Sequence, residues 1–179
     1  MIIGITGLIG AGKTSVVELL KEKGFEHLSV RDYINQELEK RNLEKNRDNM
    51  RVIANELRKK HGSSYIVEQL YQKSKGKVII ESIRTLGEVK ALKNKKDFIL
   101  LGITADPKTR YERIHKRKSS TDNVSFEEFK RQESLENNTS EDEQNLKICL
   151  KNADYTIENN GTYQELENKI KNLIAELDL

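Results

Sequence analysis

The chain has 179 residues, with 32 Lys and Arg against 29 Asp and Glu and a net charge of +3. That length fits one domain with a sizeable core, and the near-balance of charge argues against a dedicated nucleic-acid surface while allowing a local basic site. The single cysteine, Cys149, excludes an internal disulfide framework and fits a reducing cytoplasm, and no apolar run approaches the roughly 20 residues that a membrane helix needs.

The elements alternate along the chain. IIGIT (2–6) is a short apolar strand, and residues 13–23 follow as a helix with Val16, Val17, Leu19 and Leu20 turned inward. This start has no basic leader and runs into a charged helix, so no signal peptide is expected. Gly24 ends the helix, and FEHLSV (25–30) reads as a second strand. Helical patterns cover 32–42 and 47–75, with breaks near Asn42–Lys45 and at Gly62–Ser63. KVIIESI (77–83) and DFILLGIT (97–104) are continuous apolar runs, the mark of strands buried on both faces. The segment LGEVKALKNKK between them is helical. Pro107 stands where a helix over 108–118 begins, a favoured first-turn position. Helices over 125–137 and 140–151 lead to a final strand, DYTIEN (154–159). The closing helix carries Leu166, Ile170, Leu173, Ile174 and Leu177 as an amphipathic stripe. Strands with apolar interiors, separated by helices, imply an α/β fold whose parallel sheet is covered on both faces. Residues 1–179 read as a single domain, with 32–75 a helical subdomain and RKSSTDNVS (117–125) the one loose stretch.

GLIGAGKT (7–14) matches G-x-x-x-x-G-K-[ST] between a strand and a helix, the context this motif requires. Successive backbone N–H groups and a helix N-terminus then form a concavity for phosphate oxygens. Gly7, Gly10, Ala11, Gly12, Lys13, Thr14 and Ser15 make up this cradle. Side chains would block the approach of phosphate, hence the glycines. Lys13 would reach the β- and γ-phosphates of ATP, and the Thr14 hydroxyl would ligate Mg²⁺.

Other charged residues surround this element in sequence. Glu81 ends the buried strand VIIESIR (78–84), where an acid can hold magnesium or polarise an acceptor. Arg84, three residues on, either forks onto an acceptor phosphate or is a solvated loop charge. Asp32 is either a helix N-cap or a group that orients or deprotonates the acceptor. Arg47, Arg51 and Arg58 share one helix face, and Arg58 is the candidate phosphate clamp among them. Arg110, Arg113 and Arg117 run along a later helix towards the loose loop, which Arg117 and Arg131 bracket. Closure of such a basic lid would expel water and stabilise transferring charge. Arg110 reads as a surface charge. His27, His61 and His115 lack metal-ligand spacing. Asn160–Gly161 is a turn signal whose backbone could also contact a base.

In that order, the phosphate loop, SVRD, VIIESIRTLGEVKAL, GITADPKTRYERIHKR, FKRQESLE and NADYTIENNGT resemble the P-loop nucleoside monophosphate kinase group over nearly the whole chain. The pattern is most similar to the archaeal adenylate kinase-related and deoxynucleoside monophosphate kinase-like proteins, with dephospho-coenzyme A kinases as near relatives. The resemblance implies a P-loop NTPase three-layer sandwich with five parallel strands in the order 2-3-1-4-5. It also implies a helical acceptor-binding insertion at about 32–75 and a short lid near 117–125. By position, Lys13 and Thr14 match the donor-phosphate and magnesium residues, Asp32 the acidic residue of the acceptor site, and Arg84 and Arg58 the acceptor arginines. Arg117 and Arg131 match the lid arginines, with Arg113 beside them, and Asn160 to Thr162 match the adenine-side turn. The chain has VIIESIR where adenylate kinases carry Asp-Gly-Phe-Pro-Arg.

Three functions follow as expectations. The first is ATP- and Mg²⁺-dependent transfer to a nucleoside or deoxynucleoside monophosphate, by a cytoplasmic monomer or homodimer acting on a small nucleotide-like acceptor. The second is dephospho-coenzyme A kinase, and the third a nucleotide-dependent switch with slow hydrolysis.

Overall fold

The computed structural model describes residues 1–117, 124–134 and 144–178. Its five strands are β1 (Ile2–Gly7), β2 (Glu26–Ser29), β3 (Val78–Glu81), β4 (Phe98–Thr104) and β5 (Tyr155–Glu158). They form one sheet in the order β2-β3-β1-β4-β5, and every pairing is parallel. β1 lies at the centre, where Ile3 pairs with Ile79 on one side and Ile99 on the other. Such a strand has no solvated face, which is why its sequence is an unbroken apolar run.

Alternation along the strands divides the core in two. Ile3, Ile5, Ile79, Leu101 and Ile103 pack with α1 (Lys13–Lys21) and α9 (Tyr163–Glu176). Ile2, Val78, Ile80 and Leu100 pack with α2 (Val30–Lys40), α3 (Arg47–His61), α4 (Tyr65–Lys73), α5 (Leu86–Lys93) and α8 (Leu146–Lys151). Each fully buried Ile or Leu contributes about 1.5–3 kcal/mol against remaining exposed. Beyond β4, α6 (Pro107–Arg117) and α7 (Phe126–Ser134) are held together by Tyr111, Phe126 and Phe129, with ring centroids 5.1–6.2 Å apart.

The expected elements all occur, with ends that differ by a few residues. The pattern over 47–75 is two helices, because Gly62 takes a φ of 103° and stops α3. Val30 opens α2 instead of ending β2, because the Ser29 hydroxyl caps that helix. Of the helix expected over 140–151, the described part is helical from Leu146 to Lys151. Most of the expected lid, together with residues 135–143, lies outside the described residues. Among the described residues, no helix is long and apolar enough to cross a membrane.

Parallel strands put all their carboxyl ends at one edge, where α/β proteins bind ligands. β1, β2 and β3 deliver the glycine-rich loop, Ser29 and Glu81 to that edge.

Candidate active site

A cavity of about 1020 Å³ opens there. Gly10, Gly12, Lys13, Thr14 and Ser15 line it, whereas Ala11 is fully buried beneath the loop. α1 begins with no side-chain cap and no acidic residue in its first turn, so its N-terminus adds positive potential to the loop. Lys13 Nζ donates to the carbonyls of Gly7 at 2.8 Å and Leu8 at 3.0 Å, which holds the ammonium within the loop.

The loop is also tied to the protein behind it. Asn159 Nδ2 donates to the Ala11 carbonyl at 2.9 Å, and a Cβ on Gly12 would collide with that same amide. Gly10 has a φ of 77°, and a Cβ there would come within 2.5 Å of the Arg110 carbonyl. These glycines therefore serve the loop's own packing as well as its ligand.

Arg110 corrects the sequence expectation. It is 1% exposed and uses its whole guanidinium internally. Nε donates to Ala105 O at 2.8 Å, Nη1 to Ile9 O at 3.2 Å, and Nη2 to the Glu133 carboxylate at 3.0 and 3.1 Å. The Phe129 ring lies 5.3 Å from its Cζ. Arg110 thus joins the phosphate loop to α6 and α7. Helical spacing placed it on a face but did not reveal that α7 covers that face.

The second wall of the cavity comes from α2, α3 and the turn after β3. Asp32 is exposed, lies in the first turn of α2 and lines the cavity; Ser29, not Asp32, is the N-cap. Among the described residues, the Asp32 carboxylate has no ion-pair partner. Glu81 also lines the cavity, and its Oε2 accepts from Ser82 Oγ at 2.7 Å and Ser29 Oγ at 3.4 Å. Ser82 adopts a φ of 71°, a left-handed conformation costly for a residue with a Cβ. Arg84 lines the cavity, with Nη1 donating to Gln144 Oε1 at 3.2 Å. Arg58 also belongs to the lining, yet its side chain is 0% exposed and paired with Glu88, itself 0% exposed, at 2.8 Å.

Arg113, Lys116, Arg117 and Arg131 complete the rim. Arg131 pairs with Glu128, and this hydrogen bond holds the Glu128 carboxyl below the usual carboxylate range. Arg113 donates to the carbonyls of Asn159 at 2.7 Å and Gly161 at 3.1 Å. Asn160 and Gly161 do not line the cavity; Asn160 bonds the Asp106 N–H and the Glu158 carboxylate. In all, the lining holds ten Lys and Arg against four Asp and Glu, six positive charges in excess.

Ser29, Ser82, Glu88 and Asn159 were missed in the sequence. Their bonds link distant segments, and only the T-x-x-E spacing of Thr85 and Glu88, a capping box, was legible in advance. No cluster of three or more His, Cys, Asp or Glu able to hold a metal occurs among the described residues. Thr14 and Glu81 nevertheless fit Mg²⁺, which is usually held by one or two protein oxygens together with phosphates and water.

The topology and this loop define a nucleotide-binding protein with a P-loop kinase-like fold. A family model described as an AAA domain matches residues 3–144. The chain belongs to that family, together with the archaeal UPF0200 proteins that it matches. The UPF0200 protein of Methanocaldococcus jannaschii is 32% identical over 185 residues, spanning 99% of this chain and 90% of that protein. A UPF0200/UPF0201 protein of Archaeoglobus fulgidus is 31% identical over 98% of this chain, which spans 55% of that protein's length. Among solved structures, shikimate kinase from Bacteroides thetaiotaomicron is similar with a TM-score of 0.62 and 14% identity, over 100% of this chain and 99% of that one. Dephospho-CoA kinase from Campylobacter jejuni is similar with a TM-score of 0.54 and 18% identity, over 98% and 96%. At such identities these two likenesses concern the fold.

Proposed function

We propose that the protein transfers the γ-phosphoryl group of ATP to a nucleoside or deoxynucleoside monophosphate. The observation that carries this reading is the joining, in one cavity, of a phosphate loop to a second group of cations from α2, α3 and the turn after β3. A nucleotide held only for hydrolysis has no need of that second group; an acceptor phosphate does. In transfer, an oxygen of the acceptor phosphate attacks Pγ, the bond from Pγ to the β-phosphate oxygen breaks, and ADP leaves. Lys13 balances charge on the donor phosphates, and Arg84 holds and orients the acceptor. Arg117 and Arg131 lie at the rim, where they would balance charge on the transferring group. Thr14 and Glu81 would hold Mg²⁺, which would supply positive charge to the donor phosphates.

A second reading is dephospho-coenzyme A kinase, whose acceptor is a ribose hydroxyl. The exposed Asp32 carboxylate in the cavity favours it, since a hydroxyl acceptor needs a base. Purified protein incubated with ATP, Mg²⁺ and a panel of acceptors separates the two by the ADP formed with each. Turnover with a monophosphate is expected. Turnover only with dephospho-coenzyme A would replace the first reading with the second, and the absence of acceptor-dependent ADP would refute both.

A further inference from the structure

Glu88 lies at 0% exposure in the first turn of α5, where four donors converge on its carboxylate. Oε1 accepts from Arg58 Nε at 3.2 Å and Nη2 at 2.8 Å. Oε2 accepts from the main-chain N–H groups of Arg84 at 2.8 Å and Thr85 at 3.1 Å. A capping box requires only the bond from Thr85. The remaining bonds join α3 to the turn that carries Arg84.

Arg58 does not complete its own bonding. Its Nη1 is buried without a partner among the described residues, and the side chain belongs to the cavity lining. Arg110, equally buried, has Nε, Nη1 and Nη2 all bonded. An arginine that only supports the fold uses its donors as Arg110 does, because a buried unmet donor is costly. Arg58 instead leaves one nitrogen unmet at the cavity wall, covered in this structure, and a ligand reaches it only when the covering atoms move aside. Its charge is already balanced by Glu88, so what it offers is a directed donor more than a field.

We propose that Glu88 is a positioning residue for the acceptor anion. A single carboxylate sets Arg58 Nη1 and the Arg84 backbone in fixed register, and Gln144 steadies the Arg84 guanidinium from the other side. A phosphate monoester, with several oxygens at fixed angles, is the ligand such paired donors select. The inference rests on the reading of this wall of the cavity as the acceptor site.

The test uses full-length protein saturated with ADP, so that the phosphate loop is filled, and titrated with inorganic phosphate as the probe. Positioning and plain electrostatics predict opposite signs for Glu88→Gln. Removing a negative charge beside an anion site strengthens phosphate binding by Coulomb attraction alone. Loss of positioning weakens it, and we expect at least a tenfold weakening with ADP affinity changed less than twofold. Arg58→Lys keeps a cation against Glu88 but lacks the second terminal nitrogen, and the same loss is expected, with melting close to wild type. It carries the test alone if Glu88→Gln fails to fold. Unchanged or tighter phosphate binding in either folded variant, or no phosphate binding by the ADP-saturated wild type, overturns the proposal. The titration needs no turnover, so the kinase reading, judged by acceptor-dependent ADP formation, can fail without it and the reverse.

Discussion

Replacing Arg110 by methionine removes the tether between the phosphate loop and α7 while keeping an unbranched chain against Phe129. Removing one partner of a buried ion pair costs about 3–5 kcal/mol. The Glu133 side chain is 20% exposed and keeps part of its hydration, which lowers the expected cost to about 2–4 kcal/mol. In a chain of this size each kcal/mol corresponds to about 2–4 °C in melting temperature. Arg110→Met is therefore expected to melt about 4–16 °C below wild type in a circular-dichroism scan. Because the Ile9 carbonyl loses its donor, ADP affinity should fall as well, and added ADP should restore less of the melting temperature than it adds to wild type. A variant that melts within about 2 °C of wild type would refute the claim that this arginine is structural.

Lys13→Ala is expected to bring phosphoryl transfer close to zero while the melting temperature moves little, because the lysine's bonds to the Gly7 and Leu8 carbonyls lie within the loop at a partly buried site; initial rates and a melt check both. Asn159→Ala removes the bond to the Ala11 carbonyl, at a cost of about 1–2 kcal/mol in chemical denaturation, and weakens ADP binding several-fold by calorimetry. Burial pushes the Cys149 thiol from 9.0 up to about 12, so an aromatic disulfide reagent at pH 8 should react only as fast as the protein opens. The unfolded thiol ionises near 9 while the folded one keeps its proton to about 12, so this contribution to stability is intact below pH 9 and declines as pH rises towards 12. Cys149→Ala should lack that part of the alkaline decline in denaturant titrations.

The sheet was readable in the chain because a central strand has no solvated face, and Ile2, Ile3 and Ile5 say so without reference to any neighbour. The phosphate loop was equally readable, since its geometry is local to eight residues. The burial of Arg58 and Arg110 was not. Both sit on helices at spacings that suggest a solvated stripe, and both are buried by elements from elsewhere in the chain: Glu88 lies 30 residues from Arg58, and Glu133 lies 23 from Arg110. Asp32 was readable as an acid at a helix start, but its position relative to the cap depended on where β2 ends. That end is fixed by the pairing of Ser29 with Glu81, 52 residues away. A long-range partner leaves no mark in the spacing of either residue.

The crowding of cations into the cavity reaches beyond its walls. The lining holds six positive charges in excess, so a positive field spreads from the mouth into solution. A phosphorylated ligand arriving from solution is drawn towards that mouth before contact. Ions in the solvent damp this guidance over a Debye length of about 10 Å at 0.1 M and about 3 Å at 1 M, while groups inside the cavity are screened far less. Added salt should therefore slow capture and raise KM, and leave kcat nearly constant. Steering is a property of the surplus and of its location, and a chain with the same composition spread evenly would not have it.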